Sequence, residues 1–328
     1  MKLFRRPSVR SRSKPFATVA LLASVSLVAA ACGSGSSANS SSSATTAAPA
    51  TTAAPTTTAA PTAEALDPTL AALVPASYKA KGTLMVASNA SYPPDEYFAS
   101  DNTTIIGFDP DLASAVGQIL GLKFNFVNTA FADIIPALQA GHFDLAWSSA
   151  TATPARQQVV NFVTYMNGGV GFLVPASSTV KINGLADLCG LTLAVEAGSF
   201  EDTSATTQSQ QCTASGKKAI QIQRYQTENE NLLALTSGRA QVSTAGSQII
   251  PYLVQQSNGA LKSVGTPYSM APLGIEFPQS APPALLQAFQ GALNKMIADG
   301  TYGRIMAKWG QKANLITQSQ ILPASAAG

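Results

Sequence analysis

The sequence holds one histidine and three cysteines among 328 residues, with no CxxC pair. A zinc centre draws its four ligands from Cys, His and carboxylates, so this poverty argues against a metal site. Aromatic residues make up 7% of the chain and charged residues 11%. No acidic residue precedes Glu64, and from Gly33 to Ala63 there is no charge, no aromatic residue and no large aliphatic one. Such a stretch cannot bury enough apolar area to offset its ordering entropy. The apolar run Phe16 to Ala31 falls short of the ~20 residues that cross a bilayer as a helix.

What stands at the start is a basic segment, Lys2, Arg5, Arg6, Arg10, Arg12 and Lys14, followed by that apolar run and by Ala29-Ala30-Ala31-Cys32. Small residues ahead of a cysteine resemble a bacterial lipobox, with Ala29 in place of the usual Leu. We read 1–31 as a lipoprotein signal peptide and Cys32 as the lipidation site. Residues 32–65 then form a Ser/Thr/Ala/Pro tether, repeating Ala-Ala-Pro from Ala47, Ala53 and Ala59. Its prolines favour an extended, semi-rigid polyproline II chain.

The leader holds six of the 20 Lys and Arg and none of the 17 Asp and Glu. Its removal leaves 14 against 17, so the mature chain is weakly acidic despite a whole-chain pI near 8.7. A nucleic-acid partner is not suggested. About 265 residues remain after the tether, enough for two lobes. With Cys32 taken by lipid, Cys189 and Cys212 are left as a pair that an oxidising exterior favours joining. Closing that loop stabilises the fold by roughly 3 kcal/mol in the chain-entropy view.

From Thr83 the pattern alternates short strands and helices. Thr83 to Ser88 reads as a strand. Asp109-Pro110 reads as an N-cap with proline at the first helical position, followed by the stripe Leu112, Val116, Ile119 and Leu120 and a stop at Gly121. Lys123 to Val127 alternates as a strand, Ile134, Ile135 and Leu138 mark the next helix, Asp144 to Trp147 the next strand, and Thr153-Pro154 another helix start. This rhythm predicts a mostly parallel sheet covered by helices. In such sheets ligands sit at the carboxyl ends of strands, near helix N-termini.

Several segments then carry a resemblance. Gly107-Phe108-Asp109-Pro110-Asp111-Leu112, Ser91-Tyr92-Pro93-Pro94, the run from Ile135 to Asp144, Thr151 to Arg156, and Ala298 to Gly310 resemble, in order, the family 3 extracellular solute-binding proteins. The resemblance implies an α/β fold of the periplasmic-binding-protein type II, with two lobes and a ligand cleft between them. It places lobe 1 at 66–175 and 271–328, the C-terminal helices returning to it, and lobe 2 at 176–270. It further implies a monomeric, membrane-anchored amino-acid receptor that serves the permease of an ABC importer on the extracytoplasmic face, with no cofactor and no catalytic residue.

Arg156 matches the family position for the ligand α-carboxylate, and a guanidinium is suited to hold it in two parallel hydrogen bonds. Ser149 and Thr151 match polar contacts, with Ser148 beside them and Asn89 at the end of the first strand. Tyr92 and Phe131 match aromatic walls. Asp95 stands where relatives usually have Phe, a ring that Tyr97 partly replaces. Trp147 is expected in the core and His142 on a solvated loop. In the second lobe Ser199, with the amide of Phe200, is a donor candidate. By register Gly246 falls at the family's ammonium-binding Asp, and Gln241 replaces an earlier Asp. An unpaired ammonium in a closed cleft is costly. Either Glu196, Glu201 or Asp95 supplies the counter-charge, which favours a cationic or amine-bearing ligand, or the three are solvated rim groups and the ligand is not an ordinary α-amino acid. The resemblance leaves two rivals to the receptor: an enzyme on the same scaffold, like the cyclohexadienyl dehydratases, and a ligand sensor for a surface partner.

Overall fold

The computed structural model describes residues 64–324. The expected signal peptide, Cys32 and nearly all of the tether lie outside the described residues. Two short helices open the chain, α1 (Pro68–Leu73) and α2 (Ala76–Lys81). Asp67 caps α1 by accepting from the amides of Thr69 and Leu70, as short oxygen-bearing side chains do for orphan N–H groups. Then follow β1 (Thr83–Ser88), a small meander β2 (Ser91–Tyr92), β3 (Glu96–Phe98) and β4 (Ile105–Ile106), α3 (Phe108–Leu120), β5 (Lys123–Asn128), α4 (Phe131–Gln139) and β6 (Leu145–Thr151). A long strand β7 (Val160–Pro175) leads to β8 (Thr192–Glu196), α5 (Phe200–Ala214), β9 (Gln221–Tyr225), α6 (Glu228–Thr236), β10 (Val242–Gly246) and α7 (Ile250–Gln256). A second long strand, β11 (Leu261–Pro278), returns to α8 (Pro283–Ala298), α9 (Thr301–Lys308) and the short β12 (Ile321–Leu322).

The main sheet runs β5-β1-β6-β11-β7-β10-β8-β9. Strands β5, β1 and β6 pair in parallel, and so do β10, β8 and β9. Between these wings β7 and β11 pair antiparallel to each other and to their outer neighbours. The mostly parallel expectation is thus corrected to two parallel wings joined by an antiparallel pair. The reason lies in chain length: β7 and β11 are 16 and 18 residues, long enough at ~3.3 Å per residue to cross from one wing to the other. Their register shifts between Val264 and Tyr268, opposite Gly171, and again between Tyr268 and Ala271, opposite Gly169.

Each wing has its own core. Leu84, Val86, Phe108, Leu112, Trp147, Tyr165, Phe277 and Phe289 share one cluster, which α8 and α9 complete with Leu285, Leu293, Tyr302 and Ile305. The C-terminal helices therefore pack on the first wing, and Tyr302 donates its hydroxyl proton to the Tyr165 carbonyl at 2.8 Å. The second wing encloses Phe172, Val174, Leu188, Leu193, Val195, Ala205 and Cys212. Cys189 and Cys212 form a disulfide with Cα atoms 5.6 Å apart, tying α5 to the loop before β8.

Two helix starts differ from the sequence reading. Helix α3 begins at Phe108 with Gly107 as its cap, so Asp109 lies inside the first turn. A Cβ on Gly107 would stand 2.0 Å from the Asp95 carbonyl oxygen, which is why only glycine fits. The Asp109 carboxylate turns inward to Tyr165 rather than back to the helix amides. The helix expected from Thr153-Pro154 is only a three-residue 3-10 turn, Arg156–Gln158, because the apolar run from Val160 goes straight into buried β7.

Candidate functional site

The loops that follow β1, β6, β8 and β10 meet between the wings. There Tyr92, Phe131, Ser148, Ser149, Thr151 and Arg156 from one side face Ser199, Phe200, Glu201, Gly246 and Gln248 from the other, with Gly169 and Leu273 of the crossing strands at the back. The cavity they enclose measures about 30 Å³, the room of a water molecule or so. The cleft is closed, and an amino acid enters it only when the wings separate.

Arg156 spans the gap. Its Nη1 donates to the Thr151 carbonyl at 3.0 Å and its Nη2 to the Gly198 carbonyl at 3.2 Å. The guanidinium carbon lies 5.1 Å from the centre of the Phe131 ring, a cation–π distance. Among the described residues no carboxylate forms an ion pair with it. The short 3-10 turn lends little of the helix-dipole potential that a full helix would, so the site's positive charge is the guanidinium itself. Ser149, inside β6 and two residues before its end, has φ +47°, an uncommon conformation outside glycine that marks a local constraint in the strand. Its amide donates to the Tyr165 hydroxyl at 3.0 Å.

Further bonds cross the cleft. Asn89 donates through Nδ2 to Glu196 at 2.8 Å, and the Tyr92 hydroxyl donates to the other oxygen of the same carboxylate. The Glu228 amide donates to Ser91 Oγ at 3.1 Å. Ser199 caps α5, its hydroxyl oxygen accepting from the Asp202 amide at 3.0 Å, while Glu201 stands half-buried in the first turn of that helix.

The site's acids share one electrostatic trait. Burial raises Glu196 to about 8, against the downward pull of the Tyr92 and Asn89 hydrogen bonds, and Glu201 adds to the rise. Burial likewise raises Glu201, with Arg156 opposing it, and lifts Glu228 well above the usual carboxylate range. Behind Ser148 and Ser149 lie Asp95, Glu96 and Asp109, all buried. Burial raises Asp95 to about 7 and lifts Glu96 and Asp109 well above the usual carboxylate range, mutual repulsion adding to the last two. Burial is the largest cause of the rise in each of them.

The placement of the sequence-derived candidates divides in three. Arg156, Ser148, Ser149, Thr151, Tyr92, Phe131, Ser199, Phe200 and Glu201 face the cavity. Asn89 and Glu196 sit one layer behind, locked to each other and to Tyr92. Asp95 does not replace a stacking ring: it is fully buried and accepts from Gln248 Nε2 at 3.0 Å. Tyr97 stands elsewhere, against Tyr252 and Trp309, and Gln241 is exposed, accepting from the Thr192 amide. Trp147 is core and His142 is exposed. Sequence reasoning missed Gln248, Glu228, Gly169 and Leu273. Only Gln248 offered a signal, a polar residue between the buried end of β10 and an apolar helix start, and it was a weak one.

The sequence profile of the bacterial extracellular solute-binding proteins, family 3, matches residues 84–312, well over half of the chain. The chain belongs to that family. Within it, an arginine-binding protein of Corynebacterium glutamicum is 33% identical over 257 residues, covering 77% of this chain and 83% of the relative. A solved ancestral arginine-binding protein bound to arginine matches with a TM-score of 0.64 and 31% identity, over 70% of this chain and 98% of the other. An ancestral amino acid-binding protein described as a precursor of cyclohexadienyl dehydratase matches with a TM-score of 0.63 and 30% identity, over 71% and 97%. The family 3 fold of this chain is therefore the type II periplasmic-binding-protein arrangement, two α/β lobes with the cleft between them.

Proposed function

We propose that this family 3 protein is the extracytoplasmic receptor of an ABC importer and captures an amino acid with a cationic side chain, of the arginine class. The observation that carries the reading is the charge arrangement of the cleft. One guanidinium, Arg156, faces a cavity backed by Glu196, Glu201 and Glu228, none of which takes a hydrogen bond from Lys or Arg among the described residues. Arg156 suits the ligand α-carboxylate. A second positive group on the ligand meets carboxyls whose pKa burial has raised, and its arrival pulls them back down. The names of relatives support the same reading, since arginine-binding receptors, including an ABC transporter arginine-binding protein of Escherichia coli, recur among them.

Capture follows lobe closure. The Asn89–Glu196, Tyr92–Glu196, Ser91–Glu228 and Arg156–Gly198 bonds break when the lobes part to admit the ligand, since the cavity they close has the room of about one water. We assign lobe 1 to 66–169 with 271–328 and lobe 2 to 170–270, moving the expected boundary at 175 back because Phe172 and Val174 pack in the second core. The rest of the reading is a monomer carried on a Cys32 lipid anchor through the 32–65 tether, which hands its ligand to the permease.

A thermal-shift and calorimetry panel tests the ligand class. Arginine, lysine or ornithine should raise apparent stability by mass action. A shift confined to acidic or neutral amino acids would refute it. The enzyme reading rests on the dehydratase precursor among the neighbours and on buried acids of raised pKa beside the cavity. Incubation with prephenate or arogenate separates the two, because a receptor leaves both unchanged.

A further inference from the structure

Gly246 ends β10 at the wall of the cavity, in the position where the family resemblance expects an acid. A side chain there would have to displace that of Gln248. A Cβ on Gly246 would stand 2.5 Å from Nε2 and 2.7 Å from Oε1 of Gln248, so the Gln248 amide fills the volume that a residue at 246 would need. Gln248 is 5% exposed and faces the same cavity as Arg156. Its two amide ends are in different circumstances. Nε2 donates to Asp95 Oδ2 at 3.0 Å. Oε1 is fully buried and has no hydrogen-bond partner among the described residues. A buried acceptor left unpaired costs its desolvation free energy, so its retention in a ligand cleft points to a donor that arrives with the ligand.

We propose that Gln248 Oε1 accepts the ligand's ammonium and that Asp95 is the positioning residue that turns the oxygen toward it. This deepens the receptor reading above and rests on it. Asp95 Oδ2 accepts from the NH₂ end of the amide, which leaves the carbonyl end for the cavity. Asp95 comes from the loop between β2 and β3 and Gln248 from the segment after β10, so the pair joins the two lobes as they close. A second tie holds the same segment: Gln311 Nε2 donates to the Gln248 carbonyl at 3.2 Å. The direct partner of the ammonium is thus a neutral amide oxygen, and the negative charge stands one residue behind it. Burial holds Asp95 up at about 7 and the Gln248 bond pulls it down; a cation on Oε1 pulls the same way.

The test is calorimetric titration of the full receptor with arginine and with its deaminated analogue, 5-guanidinopentanoate. Parent protein should prefer arginine by roughly 30- to 100-fold, the range of a charge-assisted hydrogen bond. Gln248→Leu should lose that preference, bringing the two affinities within a few-fold of each other. Asp95→Asn should reduce it about tenfold. The double variant Gly246→Asp with Gln248→Ala should regain it, because the carboxylate then has the volume the amide gave up. Retention of the full preference by folded Gln248→Leu overturns the assignment while leaving the receptor reading standing. Equal parent affinities for the two ligands also overturn it and leave carboxylate capture intact. A parent that binds no amino acid in the wider panel fails the receptor reading itself, and this inference with it.

Discussion

Glu196→Gln isolates the carboxylate that joins the lobes. Glu196 is 1% exposed and accepts from both Asn89 and Tyr92. Burial moves it from 4.5 to about 8, which at roughly 1.4 kcal/mol per pH unit separates its two protonation states by about 5 kcal/mol. The folded value lies above the unfolded one, so between about pH 4.5 and pH 8 the folded protein keeps a proton that the unfolded chain has lost. Stability is then greatest at the acid end and declines as pH rises through that window. Between pH 5 and pH 8 the decline due to this group alone is about 3 kcal/mol. Opening of the cleft hydrates Glu196 and caps the effect without changing its sign. Glutamine copies the neutral acid: Tyr92 donates to its carbonyl, and the Asn89 amide turns over to accept from its NH₂. Urea unfolding of parent and variant at pH 5, 6.5 and 8, without ligand, should give similar stabilities at pH 5, a variant ahead by roughly 2 kcal/mol at pH 6.5 and by about 3 at pH 8. Asp95 and Glu276, both raised to about 7 by burial, contribute equally to both proteins and cancel in the difference. Parallel pH profiles would refute the reasoning, because they mean that Glu196 meets water in the ligand-free protein.

Three further outcomes are expected. Arg156→Ala should lose at least ~2 kcal/mol of ligand affinity by calorimetry, since it removes a charge-assisted clamp, while urea stability stays close to the parent's; unchanged affinity would remove Arg156 from the site. Intact mass should fall by two hydrogens between reduced and exported protein, with one peptide joining Cys189 to Cys212, and reduction should cost roughly 3 kcal/mol for a separation of 23 residues; two alkylatable thiols would reject the pairing. Cys32→Ala should abolish labelling by a palmitate analogue and release the protein from the membrane, and labelling that persists would sink the anchor.

The legible part of this protein was written in local pattern. Thr83 to Ser88 reads as an apolar run ending in small residues because β1 is a parallel strand between two others, and Leu112, Val116 and Ile119 recur at helical spacing because one face of α3 meets the core. The boundary errors came where tertiary partners overrode local preference. Asp109 has the look of an N-cap, but Tyr165 claims its carboxylate from 56 residues away in sequence. Thr153-Pro154 has the look of a helix start, but the strand that follows is drawn into the sheet after one turn. The site was legible where a residue carries its chemistry alone, as Arg156 does.

It was illegible where two residues exchange places in space. Reading Gly246 as a lost acid leaves an ammonium without a partner, and the sequence then points to Glu196, Glu201 or Asp95 as direct replacements. The structure offers a different economy of positions. The missing side chain makes room for an amide two residues later, and Asp95 stands behind that amide rather than in the cavity. Spacing along the chain cannot express this, because the Gly246, Gln248 and Asp95 relationship depends on β10 ending beside a loop from the other lobe. A glycine where a charged group is expected is thus better read together with the polar residues within one turn of it, since volume given up at one position is volume available to its neighbours.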